Sequence, residues 1–243
     1  MKYNGKMKRW TAMALMVVSI GTASAQGLSS FFDKTDQFLA AQVSKGLVNY
    51  KAIAANKTAL DELVNLLGNK QSFASTAEEK AFYLNAYNIL VIKGLINAYP
   101  VKGPLAITGF FDKQTWKING SNLTLNQIEN DVVRKKYNDA RIHFALVCGA
   151  QSCPPLPSFA YRPNLLEGQL DKLTKQSIQN SNFIQIDYKK RTAAISKIFE
   201  WYKADFEKAK GSVLAFINAY LSKPLPNDAT LSYYEYNWSL NGK

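Results

Sequence analysis

One histidine and two cysteines are all that 243 residues contain of either type, and there is no uninterrupted run of the roughly 20 apolar residues that a membrane span needs. A tetrahedral zinc site built from Cys and His needs three or four ligands. His143, Cys148 and Cys153 fit no zinc-finger spacing, so no metal and no cofactor are expected. Acidic residues are also scarce, 18 against 30 Lys and Arg, for a formal charge of +12. The basic residues are nevertheless scattered. Arg134-Lys135-Lys136 and Lys189-Lys190-Arg191 are short clusters with no nucleic-acid motif around them, so they read as solvated faces and no nucleic-acid partner is expected. Repeats and low-complexity linkers are absent too, which favours one α+β domain.

The N-terminus is more definite. Lys2, Lys6, Lys8 and Arg9 precede an apolar core from Trp10 to Ile20, and Ala23-Ser24-Ala25 follows. That order is a secretory signal, cleaved after Ala25, which predicts an exported protein of the periplasm or the medium. The apolar core is too short for an anchor, and no cysteine stands at the junction to carry a lipid, so no stable membrane anchor is expected. Loss of residues 1–25 removes four basic and no acidic side chains and leaves a charge of +8.

Over 26–243 the patterning predicts a helix-rich α+β domain with a small, mainly antiparallel sheet. Apolar residues from Leu28 to Leu67 recur at helical intervals with a break near Gly46, which fits two helices. Ser75 or Thr76 can cap a further helix, AFYLNAYNILVIKGLINAYP, apolar on nearly all sides and therefore central. Asn119-Gly120 marks a hairpin, and Leu125–Tyr137 returns to helical period. Arg141–Val147 alternates and predicts a strand running into Cys148. Further helices are expected over 163–179, 198–208 and 212–221, with a hairpin around Lys189-Lys190-Arg191 and a packed aromatic tail from Leu231 to Leu240.

RIHFALVCGAQSCPPL holds both cysteines and the histidine, and three readings of it stand side by side. Cys148 could be a nucleophile with His143 as its base, since a thiol becomes a useful thiolate at neutral pH only beside a group that lowers its pKa. In a strand the two lie roughly 16 Å apart, so Cys153, on a returning loop, could be the better partner. Alternatively, Cys148 and Cys153 form a redox-active disulfide, although their spacing is wider than C-x-x-C. Or they form a structural bridge worth about 2 kcal/mol over so short a loop. Asn85 and Asn88, three apart on one helical face, could orient a substrate or tie the helix to a loop backbone. Glu129 and Arg134, five apart, are too far round an ideal helix to pair, and each could face the site or water. Trp201, Tyr202, Asp205 and Phe206 read as core packing with a capping Asp, and Tyr233, Tyr234, Tyr236 and Trp238 as a core seal or a stacking platform.

Taken together, AFYLNAYNILVI (81–92), LTLNQIENDVVR (123–134), the Cys/His segment, Tyr161, ISKIFEWYKADF (195–206) and YYEYNWSLN (233–241) resemble domain-of-unknown-function family 547 from about residue 50 to the end. The pattern falls on Asn85, Tyr87, Asn88, Glu129, Arg134, His143, Cys148, Cys153, Pro154, Tyr161, Trp201, Asp205, Trp238 and Asn241. Some members are expected to be intracellular, where a purely structural disulfide would not persist, so the resemblance implies a functional role for the motif. The expected site therefore has His143, Cys148 and Cys153 as catalytic groups, with Asn85, Asn88, Glu129, Arg134 and Tyr161 binding substrate. The chemistry expected is thiol-dependent acyl transfer or hydrolysis on a small molecule or peptide. A binding or scaffolding module with a structural disulfide and a thiol–disulfide redox protein are the alternatives.

Overall fold

The computed structural model describes residues 19–243; the basic stretch and most of the apolar core of the predicted leader lie outside them. Helix α1 (Ser19–Gln42) buries Leu28, Phe31, Phe32, Phe38 and Leu39. A tight hairpin, β1 (Val43–Ser44) with β2 (Leu47–Val48), turns the chain through Lys45 and Gly46 into α2 (Tyr50–Ala55) and α3 (Thr58–Leu67). Three helices therefore stand where two were expected. The extra break is at Asn56, whose backbone is extended and whose side chain accepts from the Thr58 N–H.

Helix α4 (Thr76–Asn97) begins as its sequence predicts. Ser75 Oγ accepts from the Glu78 N–H, and Glu78 and Glu79 occupy the first turn, where the helix dipole favours negative charge. Sixteen of its 22 residues are buried, which makes it the axis of the N-terminal core. At about 1.5–3 kcal/mol for each large apolar side chain taken from water, this helix dominates the burial that holds α1, α2 and α3 in place.

The hairpin of β3 (Thr115–Ile118) and β4 (Ser121–Thr124) turns at Asn119-Gly120, both at positive φ. Such a turn matches the twist of the flanking strands. Thr124 then forms a reciprocal capping box with Gln127 at the start of α5 (Leu125–Gln127). The helix continues as a π segment over Ile128–Arg134 and closes as α6 (Lys135–Tyr137).

The predicted strand over Arg141–Val147 is not one. Ala140–Phe144 forms a 3₁₀ turn started by Asp139, whose side chain accepts from the Arg141 N–H. The alternation that suggested a strand has a different origin. Ile142, Ala145, Leu146 and Val147 pack into the α4 core, whereas Ala140, Phe144 and Ala150 pack into a second core.

That second core is built by the C-terminal half. After α7 (Leu166–Ile178), strands β5 (Ile184–Asp187) and β6 (Thr192–Ile195) pair antiparallel. Helices α8 (Ile198–Trp201), α9 (Lys203–Lys210) and α10 (Val213–Asn218) follow, and β7 (Thr230–Tyr233) returns parallel to β6. Phe144, Phe183, Phe199, Phe206 and Phe216 form its centre. The helix expected to run unbroken from Ile198 to Lys208 is interrupted at Tyr202. The fold is α+β, and among the described residues the strands divide into three small sheets, antiparallel except for β6 with β7. None of the described helices is long and apolar enough to cross a membrane.

Candidate functional site

Residues 139–153 run along the seam between the two cores, and polar side chains pin them there. Lys80, buried on α4, reaches Asp139 at 2.5 Å, and Arg141 grips the same carboxylate through two nitrogens. Burial opposes the charge on Asp139, yet the hydrogen bonds from Arg141 and Lys80 win and hold its pKa at about 2. Further along, Asn88 Nδ2 donates to the Ala145 carbonyl at 2.8 Å, and its Oδ1 accepts from the Val147 N–H at 2.9 Å. Asn85 does the same for Tyr161, meeting both its N–H and its carbonyl, and Tyr161 Oη donates to the Ala145 carbonyl.

Cys148 leaves this clamp and pairs with Cys153 at disulfide distance. Gly149 makes the turn between them at φ +85°, and a Cβ there would sit 2.5 Å from Leu95 Cδ1, so only glycine fits. The loop is laced to the C-terminal tail: Gln151 N–H donates to the Ser239 carbonyl, Ser152 N–H to Asn237, and Asn241 N–H to Gly149. Asn241 also accepts from Tyr50 Oη at 2.8 Å, which ties the tail to α2. Tyr236 Oη donates to Cys153 Sγ at 3.3 Å and lies 3.4 Å from Cys148 Sγ, and the Cys148 N–H points at Cys153 Sγ from 3.2 Å.

His143 is buried, and its Nε2 lies 2.7 Å from Asp205 Oδ2. Arg134 holds both oxygens of the same carboxylate, at 2.8 and 3.1 Å. Hydrogen bonds from His143 and then Arg134 keep Asp205 well below the usual carboxylate range. An ionised Asp205 can only accept, so Nε2 carries the hydrogen in this contact.

The Tyr202 ring is sandwiched between these two partners of Asp205. His143 stacks on it at 3.9 Å between centroids, and the Arg134 guanidinium lies 4.9 Å from its centre. The break between α8 and α9 is what lets the ring enter this slot. Tyr202 Oη and Tyr87 Oη both donate to Glu129, and burial followed by the Glu129 charge drives the phenol pKa of each well above its ordinary value.

Glu129 and Arg134 thus meet the same ring, one at its hydroxyl and one at its face. The π segment explains how residues five apart can do so: with i to i+5 hydrogen bonds they come into register, which an ideal α-helix forbids. Local widening of this kind leaves no mark on apolar periodicity.

These groups surround a cavity of about 230 Å³. His143, Cys148, Cys153, Glu129 and Tyr202 line it, with Tyr236, Trp201 and Trp238 as aromatic walls. Of the residues expected to bind substrate, only Glu129 reaches it. Arg134 stands behind, against Asp205, while Asn85, Asn88 and Tyr161 are buried and hold backbone. The sequence reading missed Asp205 and Tyr202 as site residues. Asp205 is 62 residues from His143, so nothing local links them.

Residues 71–178 match the family described as Protein of unknown function, DUF547. No curated protein and no solved structure matches the chain. The matched segment includes α4, Glu129, Arg134, His143 and both cysteines. Trp201, Tyr202, Asp205, Tyr236 and Trp238, which complete the site, lie beyond it.

Proposed function

We propose, from the premise that residues 71–178 belong to the DUF547 family, that the chain is an exported protein performing thiol-dependent acyl transfer or hydrolysis in the aromatic cavity. The observation that carries this reading is a buried imidazole oriented by a carboxylate and lining the same cavity as both sulfurs. Acyl transfer needs a nucleophile, a base and an orienting group, and Cys153, His143 and Asp205 are the candidates for these roles.

The pair is bonded, so the chemistry starts with two-electron reduction by an external dithiol. Cys153 then becomes the preferred thiolate. It receives the Tyr236 hydroxyl and the Cys148 N–H, two donors that stabilise negative charge on sulfur. His143 Nδ1 takes the thiol proton, and Asp205 stabilises the imidazolium without leaving its charged state. The thiolate adds to the acyl carbon, the leaving group departs with the proton from His143, and water or an acceptor nucleophile cleaves the thioester.

The sulfurs' bonded state favours one second reading, thiol–disulfide exchange. In it a substrate thiolate attacks Cys148 Sγ and the same two donors stabilise Cys153 as the leaving group. A single experiment separates the two. Reduced protein is assayed on small thioesters and activated esters, alongside a dithiol–disulfide exchange assay, with Cys148→Ser, Cys153→Ser and His143→Asn. Acyl transfer requires turnover that survives Cys148→Ser and is lost with Cys153→Ser or His143→Asn. Exchange requires both cysteines. Ester turnover untouched by Cys153→Ser would rule the acyl reading out.

A further inference from the structure

The charge inside the cavity is opposite to the charge of the chain. The sequence carries 30 Lys and Arg against 18 acidic residues, yet none of the cavity's lining residues is Lys or Arg. Its one carboxylate, Glu129, is buried and bonded only to neutral donors, the hydroxyls of Tyr87 and Tyr202. Arg134 lies nearby and favours the Glu129 charge, but its guanidinium makes its hydrogen bonds to Asp205 and Asn130 and leaves the Glu129 oxygens to other donors. A carboxylate has about four lone-pair positions, and the tyrosines fill two. Glu129 also lines the cavity, so a guest there can meet the others.

The walls suit the same kind of guest. Trp201 is 45% exposed at the rim and stacks on Trp238 at 5.8 Å, with Tyr236 against both. Both faces of Tyr202 are taken, whereas these three rings line the cavity. Aromatic faces attract cations, indole most strongly, and they also bury an alkyl chain. The cavity volume, about 230 Å³, suits a small guest.

We infer that the cavity binds a primary alkylammonium group on a short apolar chain, such as a lysine side chain or a small amine, with Glu129 as counter-ion and Trp201, Trp238 and Tyr236 around the chain. Ammonium hydrogens fill the carboxylate's remaining lone pairs, which a quaternary ammonium cannot do. The inference rests on the reading that this cavity is the functional site, and it names the acceptor or substrate amine for the acyl chemistry proposed above.

The test uses the disulfide form, so it requires no thiol chemistry. Binding of n-pentylamine and of Nα-acetyl-lysine methylamide is followed by tryptophan fluorescence, with n-hexane-1-ol and Nα-acetyl-norleucine methylamide as neutral counterparts. The amines are expected to bind at least 10-fold more tightly than their counterparts, and Glu129→Gln to abolish that preference. Equal binding of charged and neutral partners by the unaltered protein would overturn the inference, and that comparison holds even if the Gln variant fails to fold. If the amine preference is present while reduced protein shows no acyl turnover, the thiol reading fails alone; if turnover is present with no amine preference, only this inference fails.

Discussion

Asn88→Ala should weaken the protein at the segment that carries Cys148. Asn88 is 3% exposed and makes two hydrogen bonds, to the Ala145 carbonyl and from the Val147 N–H. The truncation leaves the Val147 N–H without a partner in a dry core. Leaving a buried polar group unsatisfied costs about 1–3 kcal/mol. The Ala145 carbonyl fares better because Tyr161 Oη still donates to it at 3.3 Å. Lost packing adds to the penalty, so the expected total is about 2–4 kcal/mol. Guanidinium unfolding followed by circular dichroism should show the midpoint falling at constant slope. Because Val147 adjoins Cys148, the disulfide should also be reduced faster by dithiothreitol in the variant. Stability within about 0.5 kcal/mol of the parent, with unchanged reduction, would refute the assignment of Asn88 as the clamp on this segment.

Asp139 should contribute to the acid limb of the stability profile. Its folded pKa of about 2 lies below the ordinary 3.8, so its contribution, about 2 kcal/mol, is complete above pH 4 and lost as pH falls through 2. Asp139→Asn should flatten the stability profile over that window, measured by urea unfolding at stepped pH. Gly149→Ala forces a side chain to φ +85° and into Leu95, and calorimetry should find it about 2–4 kcal/mol less stable. Export predicts that protein purified from its native host begins at Gln26, which intact-mass measurement reads directly; a retained Met1 would contradict it.

The parts of the fold legible in the sequence are those where local chemistry and burial agree. α4 announces itself through Ser75, its acidic first turn and an apolar surface on every side. The β3–β4 hairpin follows from Asn119-Gly120. The Arg141–Val147 segment misled because alternation signals one buried face, whereas here both faces are buried: Ile142, Leu146, Ala145 and Val147 all enter the α4 core and Phe144 enters the other. Asn85 and Asn88 were visible as amides on an apolar helix, but only the tertiary structure says that they hold backbone. The Glu129, Tyr202 and Asp205 arrangement depends on a π segment and a helix break, and neither alters residue periodicity enough to be read.

The most direct test of the thiol account is the pH dependence of alkylation of the reduced protein by iodoacetamide, comparing the parent with His143→Asn and Tyr236→Phe. The account predicts one thiol, at Cys153, whose apparent pKa lies below the ordinary value of about 8.5 and rises toward it in both variants. Two thiols that both titrate at the ordinary value, unmoved by either substitution, would contradict it.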